Sequence, residues 1–132
     1  MEEQEREYTS ILICPNGSIR YYSVVRTIIY YESRLEGDYE EVEREEGDSD
    51  ELVCTGLDVS PYEVDIEYDL AKKIIEAKDN DERLEILLDA LEKCKAKIYY
   101  INYFLEDMKH YNRELYERFM KAYAKHKILC TN

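Results

Sequence analysis

The spacing of apolar positions changes along the chain, and the changes divide it into a first part that reads as strand and a second that reads as helix. YTSILIC (8–14) is β-branched and apolar, and Pro15-Asn16-Gly17 after it is strong turn chemistry. SIRYYSVVRTIIYYES (18–33) follows, crowded with Val, Ile, Thr and Tyr. This predicts a β-hairpin with a long second strand. From Val24 to Tyr31 both alternating sets of residues are largely apolar, which predicts cover on both faces. ELVCTGLDV (51–59) is a further strand candidate.

Ser60-Pro61-Tyr62-Glu63 reads as a helix start, with Ser as cap, Pro in the first position and Glu returning to the cap. The helix is expected to run to about Lys78 and to bury Val64, Tyr68, Ala71, Ile74 and Ile75. Against that start, Val64, Ile66, Tyr68 and Leu70 also alternate like a strand, which would move it to about Asp69. Asp79-Asn80-Asp81 ends the run and caps the next helix.

From Leu84 the apolar positions are spaced alternately by three and four. They run Leu84, Leu87, Leu91, Cys94, Ile98, Ile101, Leu105 and Met108, then Asn112, Leu115, Phe119, Ala122 and His126. Flanking positions hold Leu88, Ala90, Phe104, Tyr111, Tyr116 and Tyr123, so the apolar face is too broad for a coiled coil. The segment is expected to break near Lys109–Asn112 into an antiparallel pair, with Asn112 capping the last helix. The alternative is one rod of roughly 65–70 Å. Around Ile98–Leu105 the expected helix is apolar on nearly every face. Tyr99, Tyr100 and Tyr103 lie off the seam, where they would meet a second subunit.

Charge sharpens this division. The chain has 132 residues, enough for one domain (1–132), and carries a net charge of −13. Residues 1–69 hold 20 acids and 5 bases, all Arg; residues 70–132 hold 11 acids and 13 bases, including every lysine. Ten of the acids fall within EGDYEEVEREEGDSDE (36–51), expected as an exposed loop or at most an edge hairpin. With 45% hydrophobic and 37% charged residues the chain is expected to fold. It has no apolar run long enough to span a bilayer, and its acidic start is unlike a signal peptide, so the expected location is cytoplasmic, without membrane. Gln is scarce and Glu and Lys abundant, a composition similar to that of small proteins of hyperthermophilic archaea and their viruses.

Motifs for chemistry are sparse. The chain has four glycines, and no GxSxG, P-loop or dinucleotide-binding pattern. His110 and His126 have no serine or cysteine motif beside them, so no catalytic residue and no cofactor is expected. Glu76-Ala77-Lys78 resembles the end of a metal-dependent nuclease motif but falls on a helix. Asp48-Ser49-Asp50 and Asp79-Asn80-Asp81 begin like calcium loops, yet the sixth position, which calls for Gly, is Val53 or Leu84. His126 and Cys130 have i, i+4 spacing but are too few for a zinc site, so no metal is expected. Cys14, Cys54, Cys94 and Cys130 form no CxxC pair and are expected as buried free thiols. Cys14 and Cys54 are the pair that could bridge neighbouring strands.

The sequence therefore predicts an α+β fold. An N-terminal antiparallel sheet of three or four strands (1–59, mainly β) precedes two or three C-terminal helices (60–132). The expected function is that of a non-enzymatic interaction protein, of the kind that serves as an inhibitor, adaptor or nucleic-acid mimic. It would be a homodimer through Tyr99, Tyr100 and Tyr103 and would present Glu40, Glu41, Glu43, Glu45 and Glu46 to a basic protein partner. Two readings stand behind it. One is nucleic-acid binding through the Lys/Tyr-rich segment 93–132; the other is a small enzyme without a recognisable motif.

Overall fold

The computed structural model describes residues 2–30, 39–47, 54 and 56–130; residues 2–8, 23–26, 28–30 and 39–47 are described by backbone alone. The elements in chain order are β1 (Glu2–Ile13), β2 (Ile19–Tyr30), β3 (Tyr39–Gly47), β4 (Tyr62–Ile66), α1 (Tyr68–Glu76) and α2 (Asn80–Glu92). These are followed by β5 (Ala96–Ile98), α3 (Ile101–Tyr111) and α4 (Arg113–Cys130). The five strands form one antiparallel sheet in the order β3-β2-β1-β4-β5. The α+β class is as expected, with four N-terminal strands before the helices. The helical part is divided into four helices and returns one short strand to the sheet.

The β1–β2 hairpin forms where turn chemistry meets β-branched runs. Gly17 has a φ of +96°, and its N–H donates to the Cys14 carbonyl at 2.8 Å. Asn16 Oδ1 accepts from the Ser18 N–H at 3.0 Å, which fixes the turn locally. β1 then pairs with β2 so that Ile11 stands opposite Tyr21 and Ile13 opposite Ile19. On its other side Ile11 stands opposite Val64, and Val64 opposite Ile98. These aligned positions make one face of the sheet apolar, and the helices cover it. Ile11, Ile13, Ile19, Val64 and Ile98 join Ile74, Leu87, Leu91, Phe104, Met108 and Phe119 in one buried core. The cover expected on both faces of Val24–Tyr31 concerns side chains outside the described residues, apart from half-buried Thr27.

Three expected secondary-structure elements are corrected. Tyr62–Ile66 is strand β4, not the start of a helix, because its alternation buries Val64 against β1 and leaves Glu63 and Asp65 exposed. The helix begins at Tyr68, close to the alternative start at Asp69. In ELVCTGLDV, positions 51–53 and 55 lie outside the described residues. Residues 56–59 turn and bend rather than extend, with Gly56 at φ +78°.

The third correction concerns the segment after Leu84. α2 ends at Glu92 in a Schellman-type stop: the Lys95 N–H returns to the Ala90 carbonyl (2.8 Å) and the Cys94 N–H to Leu91 (3.5 Å). Cys94 occupies the left-handed position (φ +64°) that glycine usually takes. Ile98, expected on a helix, lies in β5, and Tyr100 turns the chain into α3 with a φ of +58°. The break at Asn112 is as expected: its side-chain oxygen accepts the Leu115 N–H at 3.2 Å and caps α4. The segment from Leu84 is thus three helices, α2, α3 and α4, with β5 between the first two, not one rod.

The cysteines pair. Cys14–Cys54 and Cys94–Cys130 are disulfides with Cα–Cα distances of 5.6 and 5.4 Å. Cys14 and Cys54 are buried, at 1% and 3% exposure, as expected for apolar sulfur. Cys94 is exposed, and neither pair is free, so the expectation of free thiols is overturned. Each bridge closes a long segment, spanning 40 and 36 residues, and is expected to contribute about 4 kcal/mol through the unfolded chain.

Candidate functional site

The outer strands of the sheet, β3 and β5, differ sharply in chemistry. β3 holds Glu40, Glu41, Glu43, Glu45 and Glu46 within nine residues, opposite Ile29, Ile28, Arg26, Val24 and Ser23 of β2. Of the two forms expected, a loop or an edge hairpin, the acidic segment takes the second, as an edge strand across 39–47; its flanks, 36–38 and 48–51, lie outside the described residues. Glutamates suit that position, because charge along an edge discourages pairing with another sheet.

At the opposite edge, β5 and the turn into α3 bring together Lys97, Tyr99, Tyr100 and Tyr103. The Tyr99 N–H donates to the Glu63 carbonyl at 3.1 Å, which holds the turn to β4. The left-handed backbone at Tyr100 then reverses the chain, so the rings project outward. Tyr99 is 41% exposed, Tyr100 76% and Tyr103 67%. The ammonium of Lys97 stands 5.6 Å from the Tyr99 ring centroid, a cation–π arrangement. The three tyrosines predicted from sequence are thus brought to one corner. They sit at a strand end and a helix start rather than along one helix.

An open groove adjoins this corner, lined by Pro61, Tyr62, Glu63, Tyr99, Tyr100 and Asp107 among others. Tyr62 was missed from sequence because it read as helical. Its ring stacks on Phe104 at 5.1 Å and its hydroxyl donates to Asp107. Burial pushes the Tyr62 hydroxyl well above the usual tyrosine range, and the hydrogen bond and charge of Asp107 add to this, with a further push from Glu106. It is a neutral donor, fixed in place, at the floor of an aromatic corner.

Asp48-Ser49-Asp50 lies outside the described residues, Glu76-Ala77-Lys78 falls at the end of α1, and the other sequence candidates take part in local structure. Asp79 caps α2, its side chain accepting the Glu82 N–H at 2.9 Å, and Glu82 accepts from Lys78 N–H in return. His110 lies edge-on to Tyr111, and His126 Nδ1 sits 2.9 Å from the Leu91 carbonyl. Cys130 is bonded to Cys94, so His126 and Cys130 are not a ligand pair. Among the described residues no group of three or more His, Cys, Asp or Glu is arranged to hold a metal ion, and no helix is long and apolar enough to cross a membrane.

The basic segment 93–127 engages its own neighbours. Lys93 pairs with Asp89, Lys125 with Glu92 and Arg118 with Glu85. Lys109 and Lys127 lie over the rings of Tyr116 and Tyr123. Compared with known proteins, the chain matches no family model, no curated protein sequence and no solved structure.

Proposed function

We propose that the chain is a non-enzymatic interaction protein that works through the two edges of its sheet. The tyrosine corner at β5 and α3 joins two copies, and the acidic strand β3 is presented to a basic protein. The observation that carries this reading is the opposition of the edges: five glutamates on one outer strand, three exposed tyrosines at the end of the other. Tyrosines combine a large apolar body with a hydroxyl that tolerates water, which suits a surface that is exposed in the single chain. A two-fold association needs only one such self-complementary patch. A strand that carries five carboxylates attracts a cationic partner from a distance and speeds its encounter.

The test compares two five-residue variants in affinity capture from nuclease-treated source lysate. One changes Glu40, Glu41, Glu43, Glu45 and Glu46 to Gln; the other changes Asp69, Glu76, Asp81, Glu114 and Glu117 to the matching amides. Both remove the same charge, so only a strand-specific surface tells them apart. Basic proteins retained by the wild type and the second variant but lost by the first support the reading. Equal loss from both, or capture that disappears with nuclease, contradicts it.

A further inference from the structure

The two disulfides differ in a way that points to chemistry. Cys14–Cys54 is closed inside the protein, at 1% and 3% exposure. Cys94–Cys130 instead lines an open groove together with Lys95, Lys97 and His126, with Asp65 and Glu67 on the β4 side. Cys94 is exposed and holds a left-handed backbone, φ +64°, that a side chain rarely adopts. Such a conformation persists only where the surroundings enforce it. The bridge joins the stop of α2 to the last turn of α4, where Ile128 and Leu129 are exposed.

We propose that Cys94–Cys130 is a site of thiol–disulfide exchange with an external dithiol, while Cys14–Cys54 is structural. A thiolate of the dithiol attacks the Cys94 sulfur, the more exposed of the two. A mixed disulfide forms and the Cys130 sulfur leaves with the electron pair. The second thiol of the dithiol then displaces Cys94, so that the dithiol is oxidised to its disulfide and the protein gains two thiols.

His126 is placed to handle the protons. It stands one helical turn before Cys130 and lines the same groove. Because a carbonyl only accepts, the Nδ1 facing Leu91 carries a hydrogen, so proton exchange in the groove falls to Nε2. Nε2 takes the proton of the attacking thiol and returns one to the Cys130 sulfur. Lys95 and Lys97 favour the thiolate forms, and Asp65 and Glu67 on the other side of the groove oppose them. Once the bridge opens, the end of α4 is held to α2 by the His126–Leu91 contact and the Lys125–Glu92 pair.

Quenched alkylation tests this on the native full-length chain treated with dithiothreitol. Mass spectrometry is expected to find Cys94 and Cys130 alkylated at least about 100-fold faster than Cys14 and Cys54, since the buried pair reacts only when the fold opens. Amide exchange in 124–130 is expected to rise about tenfold with the rest of the protein protected. A Cys14→Ser, Cys54→Ser variant, if folded, keeps the rapid exchange. Simultaneous reduction of both pairs on unfolding, or a Cys94–Cys130 pair that resists dithiothreitol in the folded chain, overturns the proposal.

Discussion

Asn80 and Asn112 stand at the starts of α2 and α4, and both reach the β1–β2 turn. Asn80 accepts the Ile19 N–H at 2.8 Å and donates to the Gly17 carbonyl at 2.9 Å. Asn112 donates to the Asn16 carbonyl at 3.2 Å while capping α4. Asn112→Ala removes both roles and is expected to destabilise the fold by about 1–2 kcal/mol. Asn112→Asp keeps the acceptor for the cap and loses less; urea midpoints at constant m-value check the order. Gly17 combines its positive φ with a closed space, since an added Cβ would collide with Leu115. Gly17→Ala is therefore expected to cost about 3 kcal/mol, part strain and part overpacking. Part of that loss disappears when Leu115 is truncated in the same chain, which a double-mutant cycle detects. Tyr62 carries the pH signature. Its hydroxyl is held protonated in the fold, so its contribution is complete below the unfolded value of about 10 and is lost as pH rises above it. Between about pH 10 and 12 the wild type is expected to lose stability faster than Tyr62→Phe. Parallel slopes in denaturant titrations would contradict that assignment.

Elements were legible from sequence where local chemistry and pattern agreed. Pro15-Asn16-Gly17 between β-branched runs is a hairpin by any reading, and Asp79 and Asn112 cap the helices expected of them. The errors arose where a stop lacked its usual residue. α2 ends in a left-handed turn built on Cys94, without Gly or Pro, so the three-four spacing ran on unbroken from Leu91 to Ile98. Main-chain hydrogen bonds from Cys94 and Lys95 close that turn, and a bond ties it to Cys130, 36 residues away, which no local pattern reveals. In β4 the competing signals were both genuine, and pairing with β1 decided between them. For the candidate site, the tyrosines could be picked out by their excess over one core, whereas their place beside β5 required the tertiary fold. The edge position of β3 leads to a prediction at this scale. Changing its five glutamates to Gln is expected to leave the fold intact by far-UV circular dichroism. It also removes the charge that discourages strand addition, so light scattering is expected to rise at high concentration. Unchanged solubility would show that the charges do not protect the edge.

At the scale of the whole molecule, five glutamates lie on one outer strand of the sheet, β3, and the exposed Tyr99, Tyr100 and Tyr103 lie at the end of the other, β5. The first 69 residues carry most of the acids and every lysine lies beyond them. The interior is complete without the tyrosine corner: Phe104 and Phe119 close the core beneath it, with ring centroids 5.5 Å apart. Tyr99, Tyr100 and Tyr103 are thus surplus to the fold and remain on the surface. Replacing two of them by lysine should leave the core untouched and add charges that repel across a two-fold axis. Sedimentation equilibrium of the wild type and the Tyr99→Lys, Tyr103→Lys variant tests the account most directly. It is best run at tens of micromolar, roughly where a dimer of about −6 kcal/mol becomes visible. The account predicts a wild-type dimer and a folded monomeric variant. A wild type that is monomeric there, or a variant that dimerises as well as the wild type, would contradict it.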